Sequence, residues 1–133
     1  MSEAYSVHCD CGAVEVKTSG IPRVHAFCHC EDCRELLQVP YHSVLAWDPE
    51  NVSVTKGEQA LESFKHPSKN MTRVFCKHCG DVLYNTNAMG WKLISQLMFQ
   101  KCNGEKLPEG FESNAHFFYD RRIVNVEDSL PKN

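Results

Sequence analysis

Short alternating runs of apolar and polar residues dominate the chain. In Ala13–Thr18, Val14 and Val16 alternate with Glu15 and Lys17, the period-two pattern of a strand with one buried face. Comparable runs occur at Arg23–Phe27, Tyr41–Trp47, Val52–Thr55, Leu61–Lys65, Thr72–Cys76, Val82–Asn85, Lys92–Gln100, Ala115–Tyr119 and Ile123–Val126. Turn chemistry separates them: Ser19-Gly20-Ile21-Pro22, Asp48-Pro49, Lys56-Gly57, His66-Pro67-Ser68, Asn103-Gly104 and Pro108-Glu109-Gly110. Many short strands at this spacing predict a mainly β protein, built of packed sheets or an open barrel. One segment breaks the pattern: Glu31–Gln38 predicts a short helical turn, which Pro40 stops. The most loop-like stretches are Lys65–Asn70 and Gly104–Ser113. With no repeat, low-complexity segment or linker, residues 1–133 read as a single domain.

Composition narrows the class. Apolar residues make up 42% and charged residues 23%, which excludes a disordered chain. No apolar run approaches the ~20 residues of a membrane span, so no membrane association is expected. Met1–Val7 has neither a basic region nor an apolar stretch, and nothing there reads as a signal peptide; the expected location is the cytoplasm. The formal charge is −3, and Arg121-Arg122 is the only adjacent basic pair. Without a basic stripe, binding to nucleic acid by counterion release is not expected.

The eight cysteines change the picture most. In a reducing compartment they are poor candidates for a disulfide framework, and their tight clustering suits metal instead. Cys76-Lys77-His78-Cys79-Gly80 reads as a knuckle: two thiolates, then a glycine that permits a left-handed turn. In Cys9-Asp10-Cys11-Gly12, an extended backbone would put both sulfurs on one face and Asp10 on the other. Two such pairs together make a closed four-sulfur site, the structural kind. Cys28-His29-Cys30-Glu31-Asp32-Cys33 places three sulfurs in six residues. A local triad leaves a fourth coordination position for water or substrate, as catalytic zinc requires. Two other readings stand beside this one. The cysteines could be small buried hydrophobes, or Cys30 and Cys33 could pair with Cys76 and Cys79 as a zinc ribbon, leaving Cys9, Cys11 and Cys28 without a role.

The order CDCG (Cys9–Gly12), CHCEDCR (Cys28–Arg34), RVFCKHCG (Arg73–Gly80) and AHFFYDRR…EDSLP (Ala115–Pro131) resembles the glutathione-dependent formaldehyde-activating enzyme family, which also includes centromere protein V. The resemblance runs from about Tyr5 to Pro131. It implies a β-tent-like fold, small antiparallel sheets organised around cysteine-bound zinc. It implies a structural zinc on Cys9, Cys11, Cys76 and Cys79, and a second, catalytic zinc on Cys28, Cys30 and Cys33, so two Zn²⁺ per chain. The implied activity is that of a carbon–sulfur lyase condensing formaldehyde with glutathione to S-hydroxymethylglutathione, with a small-molecule thiol as partner. This chain departs from the family pattern in three places. Glu35-Leu36-Leu37-Gln38 replaces a small Gly-Ser-type segment, Asp81 stands where serine commonly follows Cys-Gly, and Val124 replaces a tryptophan.

Other residues carry weaker signals. In an extended segment His29 faces away from the neighbouring sulfurs and reads as a packing or supporting residue. Arg34 would balance thiolates, clamp a substrate carboxylate or form a surface ion pair. His116 reads as a satisfied core histidine, with an acid–base role as the alternative. Phe117, Phe118 and Tyr119 read as core, and Cys102 as a spare thiol. Three functions fit these features: a zinc enzyme acting on thiol–carbonyl adducts, a non-catalytic zinc scaffold, and a thiol redox or metal sensor.

Overall fold

The structure is a computed structural model and describes residues 4–65 and 67–133. Met1–Glu3 at the head of the N-terminal stretch, and His66 of the His66-Pro67-Ser68 turn, lie outside the described residues. Strands β1 (Ala4–His8) and β2 (Glu15–Ser19) form an antiparallel hairpin, with fully buried Val7 opposite fully buried Val16. Strand β5 (Val52–Lys56) pairs with β2 to complete a three-stranded sheet.

A second, seven-stranded sheet has the order β10-β3-β4-β9-β8-β7-β6. Its strands are β3 (Val24–Cys28), β4 (His42–Trp47), β6 (Leu61–Lys65), β7 (Thr72–Cys76), β8 (Val82–Thr86), β9 (Lys92–Ser95) and β10 (His116–Phe117). All neighbouring pairs are antiparallel except β10, which joins β3 in parallel. The mainly β architecture of small, largely antiparallel sheets therefore holds.

Strand β4 shows why the sheet has two buried faces. Its side chains alternate direction. Leu45 and Trp47 enter one apolar cluster with Val7, Leu83, Ile94 and Phe99, which joins both sheets. Val44 and Ala46 enter another with Leu93, Met71, Cys28, Cys33 and Leu36. Helix α1 (Glu31–Leu37) covers this second face. It is anchored by Lys69, which pairs with Glu35 at 2.8 Å and Asp32 at 3.4 Å, and by Arg73 Nη1, which donates to the Leu36 carbonyl at 3.0 Å.

Three segments differ from the sequence expectation. Lys92–Gln100 is not one strand: β9 ends at Ser95, and helix α2 (Gln96–Cys102) begins. Ser95 Oγ accepts the Leu97 N–H at 3.2 Å, an N-cap, and no β-branched residue occurs in the helix. Met98 and Phe99 are buried, while Leu97 stays exposed. Ala4–His8, not anticipated, is β1. Ile123–Val126 forms no strand; the Tyr119 hydroxyl accepts the Val126 N–H at 2.8 Å and donates to the Val126 carbonyl at 3.2 Å, so the backbone is held by a side chain. Phe118 is likewise not core: it has φ 55°, ends β10 and is 56% exposed.

Candidate metal centres

The β1–β2 and β7–β8 hairpin loops meet at four sulfurs. Cys9, Cys11, Cys76 and Cys79 have Sγ atoms all within 4.8 Å of one another, and the Cys9–Cys11 and Cys11–Cys76 separations are 3.6 Å. Zn–S bonds of about 2.3 Å in a tetrahedron place sulfurs ~3.8 Å apart, so this donor set fits zinc in both chemistry and size. The first pair does not lie in a strand as expected. It occupies a turn in which Gly12, at φ 75°, donates its N–H to the Cys9 carbonyl at 3.0 Å. Val14 N–H donates to Cys9 Sγ at 3.4 Å. The second pair forms a similar turn: Gly80, at φ 80°, donates to the Cys76 carbonyl at 2.8 Å. The Asp81 N–H lowers the Cys79 thiol to about 7.

Asp81 has a second part. Its carboxylate accepts the Asp10 N–H at 2.7 Å, and Lys101 on α2 bridges Asp81 at 2.7 Å and Asp10 at 2.8 Å. One cation therefore ties both knuckles together beside a cluster that would carry excess negative charge. Cys102 is not spare: its sulfur accepts the His8 N–H at 3.4 Å and donates to the His8 carbonyl at 3.5 Å, fastening α2 to β1.

The other group is local. Cys28 ends β3, Cys30 is the N-cap of α1, and Cys33 lies in its first turn. Their sulfurs lie within 4.8 Å of one another, with Cys33–Cys28 at 3.6 Å. Cys30 Sγ accepts the Cys33 N–H at 3.3 Å, so the helix start itself stabilises a thiolate there. Hydrogen bonds from Cys28 and Cys33 lower Cys30 strongly, and the same contacts raise Cys28 and Cys33. This set also matches zinc, with three donors. Cys30 opens onto a cleft of about 310 Å³ walled by Glu31, Asp32, Phe118 and Arg121. Cys30 and Cys33 do not gather with Cys76 and Cys79, so the ribbon pairing is not adopted.

Behind the triad lies a buried polar chain. His29, fully buried, has Nε2 2.9 Å from His116 Nδ1; His116 Nε2 is 2.8 Å from Asp128 Oδ2. Lys132 and His116 hydrogen bonds hold the Asp128 carboxyl down at about 2. A carboxylate accepts only, so with both rings uncharged the order is fixed: His116 donates from Nε2 and accepts on Nδ1 from His29. His29 Nδ1 then has a lone pair with no partner among the described residues. Burial, then the neighbouring His116, lowers the His29 basicity. Tyr41 stacks on His29 at 4.9 Å, and Arg34 Nε donates to the His29 carbonyl at 3.1 Å. Asp128 lies within the EDSLP motif, but no motif signalled its contact with His116, and none signalled His42, which sits opposite Cys28 in the β3–β4 pairing; both placements depend on long-range contacts.

A sequence model of the glutathione-dependent formaldehyde-activating enzyme family matches residues 4–121. The chain belongs to this family. An uncharacterized lyase of Schizosaccharomyces pombe is 32% identical over 100 residues, covering 72% of this chain and 69% of the yeast protein. The fold is similar to a crystal structure of a Rhodobacter sphaeroides protein, with TM-score 0.55 and 17% identity over 74% of this chain and 91% of that one. Family membership accords with the two cysteine clusters, which are compatible with bound metal.

Proposed function

We propose that the protein is a zinc-dependent carbon–sulfur lyase of the glutathione-dependent formaldehyde-activating type, acting on a thiol–carbonyl adduct such as S-hydroxymethylglutathione. Family membership and the lyase-named relative support a lyase in general. The observation that carries the finer reading is the local three-sulfur set opening onto a cleft. Cys9, Cys11, Cys76 and Cys79 would hold a structural zinc, and Cys28, Cys30 and Cys33 a second one. Zinc on the triad would supply an open position that takes a soft donor as thiolate at neutral pH.

The residues around the triad do the rest. Arg121 offers a cation for a substrate carboxylate, while Glu31 and Asp32 offer anions for an ammonium group. A zwitterionic thiol such as glutathione carries both. Phe118, exposed at the rim, can cover the bound chain's apolar part. In the forward direction the thiol sulfur loses its proton and bonds to the carbonyl carbon. The π pair moves to oxygen, which takes up a proton; the reverse breaks the C–S bond. None of the eight cysteines is in a disulfide, which suits a reducing compartment such as the cytoplasm.

The test mixes zinc-loaded protein with formaldehyde and several thiols and follows adduct exchange by NMR. Wild type is expected to accelerate exchange, with glutathione among the thiols accepted, and Cys30→Ser to abolish the acceleration. Equal rates for both proteins with every thiol would give the lead to a non-catalytic zinc scaffold.

A further inference from the structure

A cavity of about 130 Å³ lies between the end of α1 and the seven-stranded sheet. Leu37 and Val39 wall it on the helix side, and His42, Asn85, Leu93 and Ser95 line it on the strand side. Register places this cavity on the face that carries the triad. Cys28 is opposite His42, Val44 opposite Ser95, and Leu93 opposite Asn85, and directly opposed residues project to one side. Leu37 follows Cys33 by one helical turn, so the two share a side of α1.

The lining has an unusual polar content. His42 is 4% exposed and neither ring nitrogen has a partner among the described residues. Asn85 is 2% exposed, and its Oδ1 is likewise without a partner among them. Buried polar atoms are nearly always hydrogen-bonded, so this group calls for an occupant. A neutral imidazole offers one donor nitrogen and one acceptor, and Asn85 Oδ1 adds a second acceptor. A hydroxyl, which both donates and accepts, matches this set. A carboxylate only accepts and an ammonium only donates, and each would bring charge against Leu37, Val39 and Leu93.

Size adds a second constraint. The centre of one water molecule needs only about 10–15 Å³ of space, so the cavity is roughly ten times what one molecule of that size requires. One formaldehyde carbon would leave most of it unfilled.

We propose that this cavity binds the carbonyl-derived side of the adduct, its hydroxyl held between His42 and Asn85, and that the carbonyl partner is an uncharged aliphatic aldehyde longer than formaldehyde. The assignment to substrate rests on the lyase reading; the binding site itself does not.

The test titrates zinc-loaded protein with 1-butanol, butyrate and butylammonium while NMR follows the His42 ring and the Leu93 methyls. Butanol is expected to give saturable shifts at both residues, and the two ions none. Leu37→Phe and Val39→Phe, each checked for a native spectrum, are expected to weaken butanol binding at least tenfold. Unsaturable shifts, equal binding of the ions, or undiminished binding in both filled variants would overturn the site. A separate arm compares butanal–glutathione exchange in wild type and Cys30→Ser. Faster exchange in wild type supports the substrate assignment. Equal butanal rates alongside saturable butanol binding would overturn the substrate assignment while leaving the alcohol site in place, and only equal formaldehyde rates as well would overturn the lyase reading.

Discussion

The two cysteine clusters use the same donor atom for different ends. The four-sulfur set joins loops from two sheets, with Cys11 and Cys76 separated by 65 residues, and its Cys9 and Cys76 belong to the main apolar cluster. The three-sulfur set comes from one six-residue segment, touches the smaller cluster and opens to a cleft. A link between distant segments removes chain entropy from the unfolded state; a link within one turn removes little. The first arrangement is therefore suited to holding the fold and the second to presenting a free coordination position.

The largest expected effect tests that division directly. Structural zinc contributes roughly 10 kcal/mol or more of binding free energy coupled to folding. Cys79→Ser or Cys76→Ser is expected to unfold or aggregate the protein, whereas Cys30→Ser keeps a cooperative melt. Elemental analysis of wild type is expected to give two zinc per chain, one lost first to a chelator without loss of fold. Equal damage from Cys30→Ser and Cys79→Ser would erase the contrast.

A second, smaller effect belongs to the triad's face. His42 is held at about 4 by burial, against 6.5 for a free ring. The unfolded chain then binds the extra proton first, so stability is full above pH 6.5 and falls as pH drops from 6.5 to about 4. The loss should be on the order of 3 kcal/mol. His42→Leu is expected to flatten this part of the curve in denaturant titrations. Superimposable curves would place the acid lability elsewhere, including the four-sulfur side.

Lys101 sharpens the comparison from that other side. It bridges Asp10 and Asp81 across the two knuckles while partly exposed, so its ion pairs are worth little individually. Lys101→Met should cost about 1 kcal/mol and speed chelator removal of the zinc expected on the four-sulfur set, leaving that expected on the triad unaffected. Chelation kinetics with a colorimetric zinc indicator would show both phases, and an unchanged slow phase would reduce Lys101 to a surface residue.

The smallest effect concerns Asp128. Its pKa is depressed to about 2 from 3.8, first by Lys132 and then by His116. Its contribution is present above pH 3.8 and is lost as pH falls toward 2. Asp128→Asn is expected to move the His116 and His29 ring resonances while leaving those of the four-sulfur loops in place. Unmoved rings would break the His29–His116–Asp128 chain as a connected unit.

Much of this protein was legible in residue order. Alternation in Ala13–Thr18, Thr72–Cys76 and Val82–Asn85 marked real strands because a half-buried sheet imposes period two locally. Glu31–Leu37 formed the short helix its residues suggested. Cysteine spacing marked the three local clusters, Cys9 with Cys11, Cys28 with Cys30 and Cys33, and Cys76 with Cys79; that the first and last meet, 65 residues apart between Cys11 and Cys76, was decided by the fold. What needs distant neighbours was not legible. Lys92–Gln100 divides at Ser95 because Met98 and Phe99 find a core supplied by β1, β4 and Phe111. The apolar Ile123–Val126 stays outside the sheets because the Tyr119 hydroxyl takes its backbone bonds. Residue order by itself determined the local periodicities and the clustering of sulfur. Only the tertiary structure decided that Asp81 and Lys101 join two knuckles, that His116 and Asp128 back His29, and that His42 and Asn85 share a cavity. Each of these is a contact between residues far apart in sequence, and no local pattern encodes which distant partner a side chain will meet.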